Sequence, residues 1–91
     1  MGNFDNAAKV GKQMIFKFIK ERMKEKRITQ FNLSEIIEIN ESTLIRNFKG
    51  DTEMPLATYL KICGALEIRP YLVAKEDDDD DDNEMNYMHF N

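Results

Sequence analysis

In the stretch ESTLIRNFK, residues 41–49, Leu44 and Phe48 stand four apart with Ile45 at their margin. On a helix that spacing gathers them on one face. Glu41, Ser42, Thr43, Arg46, Asn47 and Lys49 are left for the outer surface. These groups suit recognition of a nucleic-acid duplex. An arginine fork grips guanine through two parallel hydrogen bonds, and serine or threonine hydroxyls serve base edges or phosphates. A glutamate can accept from a cytosine amino group. Ser42, Thr43, Arg46 and Asn47 are therefore the expected base readers. Lys49 and the amides near Asn40 are the expected phosphate contacts, the amides because a helix N-terminus favours anions.

Other chemistries lack their residues. The chain has one cysteine and one histidine. Cys63 falls in an apolar pattern and His89 in the tail, so no Cys–His nucleophile pair and no four-ligand zinc set is expected. The aspartates of KEDDDDDDNE, residues 75–84, lack the spaced ligands and central glycine of a calcium loop. The expectation is a non-enzyme with no cofactor and no metal.

The candidate readers need elements to hold them. Thr29 offers an N-cap to residues 30–37, where Leu33, Ile36 and Ile37 are apolar. After a break at Glu38–Asn40, Asn40 offers a second N-cap, and Gly50 stands where a helix-ending glycine belongs. Two short helices joined by a three-residue turn are the signature of a helix-turn-helix. The first braces the second, whose polar face enters the major groove.

Upstream, residues 12–26 carry an apolar stripe of Ile15, Phe18, Ile19 and Met23. That helix could start earlier, near Asp5 or Asn6, though Gly11 opposes it. Its lysines read chiefly as a solvated face, with Lys9 and Lys12 as candidate phosphate contacts. Downstream, Pro55 opens a fourth helix at its first turn, with Leu56, Tyr59, Leu60, Ile62, Cys63 and Leu66 as its apolar set. Pro70 stops any continuation. The alternation over residues 69–74 predicts a short strand, with a last helical turn as its rival.

The chain is 91 residues long, the size of one small domain, and 42% apolar. One cysteine permits no internal disulfide framework and suits an intracellular, cytoplasmic setting. No apolar run is long enough to span a membrane. The net charge of −4 conceals a segregation. Residues 1–75 hold all 13 bases against nine acids, net +4, whereas residues 76–91 hold eight acids and no base. The expected organisation is a domain over residues 1–75 and an acidic, disordered tail over residues 76–91.

TQFNLSEIIEINESTLIRNFKG, residues 29–50, resembles the helix-turn-helix of phage-repressor and Cro-like regulators, the XRE family. MPLATYLKICGAL resembles that family's next helix, and the likeness runs from about Val10 to Ile68. The resemblance implies an all-α, lambda-repressor-like four-helix domain that binds double-stranded operator DNA, usually as a homodimer. It places Gln30 on the DNA backbone and Ser34 where the two helices cross. It sets Glu41, Ser42, Thr43, Ile45 and Arg46 on or beside the groove face, and Gly50 in a loop near phosphate. Three positions depart from the pattern. The turn glycine is Glu38, the glycine ending the first helix is Arg27, and the Leu-Arg pair late in helix 1 is Arg22-Met23.

The expectation is a DNA-binding transcriptional regulator, a repressor, acting as a dimer whose strands at residues 69–74 pair. The alternative is a protein-interaction module of the same fold, antitoxin-like or a co-regulator, with weak or no DNA binding. Glu41, Ile45 and the modest charge of the body favour that alternative. The acidic tail reads as a solubilising segment, as a competitor of DNA, or as a docking segment for a protein partner.

Overall fold

The computed structural model of the protein describes residues 2–75. Four helices follow in order: α1 Gly2–Lys26, α2 Gln30–Ile37, α3 Glu41–Lys49 and α4 Leu56–Leu66. The acidic tail, with its expected disorder, lies outside the described residues.

α1 begins well before residue 12. Its 25 residues give a length of about 37 Å. Gly11 does not interrupt it, because one interior glycine costs a helix only about 1 kcal/mol. The stripe expected on α1 is rotated. Ile19 and Met23 are buried, but Ile15 and Phe18 are 40% and 56% exposed. Phe16 takes the inner position instead and meets Phe48 edge-on, with centroids 5.4 Å apart. Residues 16, 19 and 23 keep helical spacing, so the period was right and the phase was wrong.

The core joins all four helices through Ile19, Met23, Leu33, Ile37, Leu44, Phe48, Ile62 and Leu66. α2 packs against both α3 and α4, and α4 against α1. Cys63 is buried as expected, and burial pushes its thiol pKa up, which keeps it an inert small hydrophobe. Pro55 is the N-cap of α4 rather than its first helical residue, with an extended backbone at ψ 147°.

All four helices end in the same left-handed turn. Arg27, Glu38, Gly50 and Glu67 have φ of 58°, 60°, 87° and 58°. At each end the next residue's amide reaches back five residues: Ile28 to Met23, Ile39 to Ser34, Asp51 to Arg46 and Ile68 to Cys63. Only Gly50 adopts this conformation without steric cost. At the other three ends a charged residue takes the strained position, and an isoleucine follows that packs against the core. Burying Ile28, Ile39 and Ile68 offsets the cost of the turns, about 1–2 kcal/mol each. Glu38→Gly is therefore expected to raise stability by about 0.5–1 kcal/mol, read as a higher urea midpoint at unchanged slope. A lower midpoint would show that the Glu38 side chain, not the backbone, matters there.

Arg22 answers its departure from the family pattern in its own way. Its Nε donates to the carbonyl of Leu66 at 2.9 Å, and its guanidinium pairs with Glu25 at 3.2 Å. It thus meets the exposed carbonyls at the end of α4, where a cation is favoured. Lys26 adds a 2.9 Å bond to Glu67, which holds that carboxyl below its ordinary pKa.

Among the described residues there is no strand. Residues 69–74, expected to be one, are irregular, and the Tyr71 amide donates to the Arg69 carbonyl at 3.0 Å in a tight turn. Among the described residues no neighbouring strand pairs with it, and a lone strand does not hold its shape.

Candidate nucleic-acid interface

The expected brace and recognition helix are α2 and α3. Thr29 caps α2: its Oγ1 accepts the Asn32 amide at 3.0 Å, and the Asn32 side chain accepts the Thr29 amide in return. Ser34 is buried at the crossing, and its hydroxyl donates to the Phe31 carbonyl at 2.6 Å. A larger side chain there would push the two helices apart.

The turn from α2 to α3 is made by left-handed Glu38, half-buried Ile39 and Asn40. Asn40 Oδ1 accepts from the Ser42 amide at 2.9 Å and from the Ser42 hydroxyl at 2.6 Å. So Asn40 orients the head of α3, and Ser42 spends its proton on the cap while its oxygen can still accept. Glu41, in the first turn, complements the helix dipole, which gives it a structural use at a position that opposes phosphate.

α3 presents three side chains outward. Ser42, Arg46 and Lys49 are exposed and recur at i, i+4 and i+7, so they share one face. Glu41 and Ile45 are half-buried along one margin and Thr43 along the other. Leu44 and Phe48 point into the core. Among the described residues neither Arg46 nor Lys49 forms an ion pair. Gln30 is half-buried at the first turn of α2.

Asn47 corrects the sequence reading. Expected on the outer face, it is 3% exposed. Its amide nitrogen donates to Thr52 Oγ1 at 2.9 Å and lies 3.5 Å from the Glu53 carbonyl. It ties the loop after α3 to the helix, and its Oδ1 has no partner among the described residues. A side chain so enclosed cannot reach a base edge. Asn47→Ala is expected to cost about 1 kcal/mol of stability, seen in urea unfolding, and to leave DNA preference unchanged. A changed preference at unchanged stability would return Asn47 to the base readers.

One of the candidate phosphate contacts, Lys9, and one residue that the sequence does not single out, Lys20, lie close to α3. Lys20 Nζ lies 5.6 Å from the centre of the Phe48 ring, and Lys9 lines a cleft with Gln13, Phe48, Lys49 and Gly50. Both put α1 charge beside the end of α3. Their lysine spacing was legible, but which side of α1 faces α3 was not, because the phase of the helix was misread. Lys12 is engaged otherwise: its Nζ lies 3.0 Å from both oxygens of Glu53.

A braced, doubly capped helix with an outward polar ridge can enter a groove and make hydrogen bonds there. No helix among the described residues is long and apolar enough to cross a membrane. No curated protein and no solved structure matches this chain. The sequence profile of the Cro/C1-type HTH DNA-binding domain, however, matches residues 18–71, from the middle of α1 to beyond α4. The match spans more than half of the chain and takes in α2, α3 and α4 whole, and the chain accordingly belongs to the Cro/C1-type helix-turn-helix DNA-binding family.

Proposed function

We propose that this DNA-binding regulator is a sequence-specific transcriptional repressor that works as a homodimer on double-stranded DNA. The observation that carries the reading is the exposed ridge of Ser42, Arg46 and Lys49 on a helix capped at both ends. Arg46 reads a base, and Ser42 and Thr43 contact base edges or nearby phosphates. Gln30, Lys49 and the capped amides behind Asn40 hold the backbone. Glu41 sits beside that face and favours a cytosine amino group. Its partner places the protein inside the cell.

The electrostatics divide the labour. Residues 29–50 carry two bases and three acids, so the reading unit itself does not attract DNA. α1 carries seven bases against three acids. Long-range attraction therefore comes from α1, with Lys9 and Lys20 already beside α3. Base contacts on α3 then choose the sequence.

The acidic run favours a second element of the reading. A tethered polyanion competes with DNA for the basic body, and tethering gives a weak contact a millimolar effective concentration. Selection from a randomised DNA pool at two salt concentrations tests both elements, with the full chain beside a chain ending at Lys75. The expected result is enrichment of one motif, binding that weakens steeply with salt, and tighter binding by the shortened chain. Equal affinity of the two chains removes the competing role from the tail. No enriched motif at low salt sinks the DNA reading and leaves a tail that docks a protein partner.

A further inference from the structure

The family match begins at residue 18, but α1 begins at Gly2. Four turns of helix thus stand outside the domain that the family shares. One face of this extension, continued by Phe18, is apolar and largely uncovered among the described residues, with only its Ile15 edge bordering a groove beside Leu56 and Tyr59. Phe4, Met14, Ile15 and Phe18 are 76%, 67%, 40% and 56% exposed, and Ala7 and Ala8 are exposed with them. With Gly11 these residues recur at spacings of three and four along a single stripe, the pattern of a helix seam.

Gly11 supplies an independent observation. A Cβ built on it meets nothing within 4 Å. The described residues of its own chain therefore give no reason for a glycine, which costs about 1 kcal/mol of helix stability relative to alanine. A second helix crossing closely at that point does give one.

The order of sizes along the stripe identifies that second helix. About Gly11 the stripe is complementary to its own reverse. In an antiparallel pair with a two-fold axis at residue 11, Phe4 meets the other copy's Phe18. Ala7 comes opposite Met14, Ala8 opposite Ile15, and glycine opposite glycine. Met14 and Ile15 each find an alanine, and the two aromatic pairs close the ends. A two-fold interface requires such self-complementarity. We infer that the N-terminal half of α1 is a dimerisation arm, which pairs antiparallel with the same arm of a second copy across Gly11.

This inference names the interface for the homodimer proposed above, and its test uses no DNA, so either can fail alone. Sedimentation of the full chain over a concentration series should show a dimer. Gly11→Glu places two like charges at the axis. Its side chain points into open space in the monomer, so it should yield a monomer with unchanged helical circular dichroism. Oxidative cross-linking then fixes direction. Gly11→Cys should form a disulfide dimer. Phe4→Cys should not, because antiparallel pairing holds the two residues 4 about 21 Å apart, whereas a disulfide needs Cα atoms within about 7 Å. Cys63 is buried and gives no background. A monomeric wild type, a Gly11→Glu variant that remains dimeric, or cross-linking at residue 4 in place of residue 11 overturns the inference.

Discussion

Leu44→Ala is expected to destabilise the domain by about 3–5 kcal/mol, enough to leave much of the chain unfolded at room temperature. Leu44 is wholly buried, and with Phe48 it joins α3 to the core that holds Leu33 and Ile37. Its loss leaves a cavity at the crossing of the two helices, where the short α2 and α3 cannot collapse without tilting the recognition face. The reading is a urea titration followed by circular dichroism, with DNA binding measured on the fraction still folded. A loss below about 1 kcal/mol would mean that α3 is held by its caps and not by its core contacts.

Arg46→Ala should do the reverse. Arg46 is exposed and unpaired among the described residues, so its removal should leave stability within about 0.5 kcal/mol. Affinity for the selected sequence should fall by about 10- to 100-fold, as one good arginine–base contact implies. Affinity for unrelated DNA should fall much less, because there the side chain contributes only its charge. Fluorescence anisotropy against the selected duplex and a scrambled one separates the cases. An equal fall on both duplexes would make Arg46 a phosphate contact and move base reading to Ser42 and Thr43.

These contrasts show how far the sequence could be read. The four helices, both N-caps of the helix-turn-helix, the Gly50 stop and the buried Cys63 were all legible, because each rests on local chemistry within a few residues. The phase of α1 was not. Ile15, Phe16, Phe18 and Ile19 are all apolar, and an apolar run of that kind fits two helical faces equally well. Only the position of Phe48 decides that Phe16 turns inward. Asn47 failed for a related reason. Between Arg46 and Phe48 its polarity argues for the surface, and its burial depends on Thr52 and Glu53, which arrive from a loop with no pattern of its own. The expected strand failed because pairing is never local. Within the candidate site, the ridge of Ser42, Arg46 and Lys49 was legible from period alone. Lys9 was legible as a candidate phosphate contact, but the charge of Lys20 beside α3 was not, since it comes from another helix.

The three charged left-handed helix ends carry a practical meaning for heat resistance. Two of them, Arg27 and Glu38, take part in no ion pair among the described residues and could be relieved by glycine without touching the recognition face, whereas Glu67 is held by Lys26. The sites lie at different helix ends and share no partner, so their gains should add. Each gain of about 1 kcal/mol corresponds to roughly 4–8 °C in Tm for a domain of this size. The protein thus retains an unused reserve of thermal tolerance in its backbone turns, open to variation without any change to the surface that meets DNA.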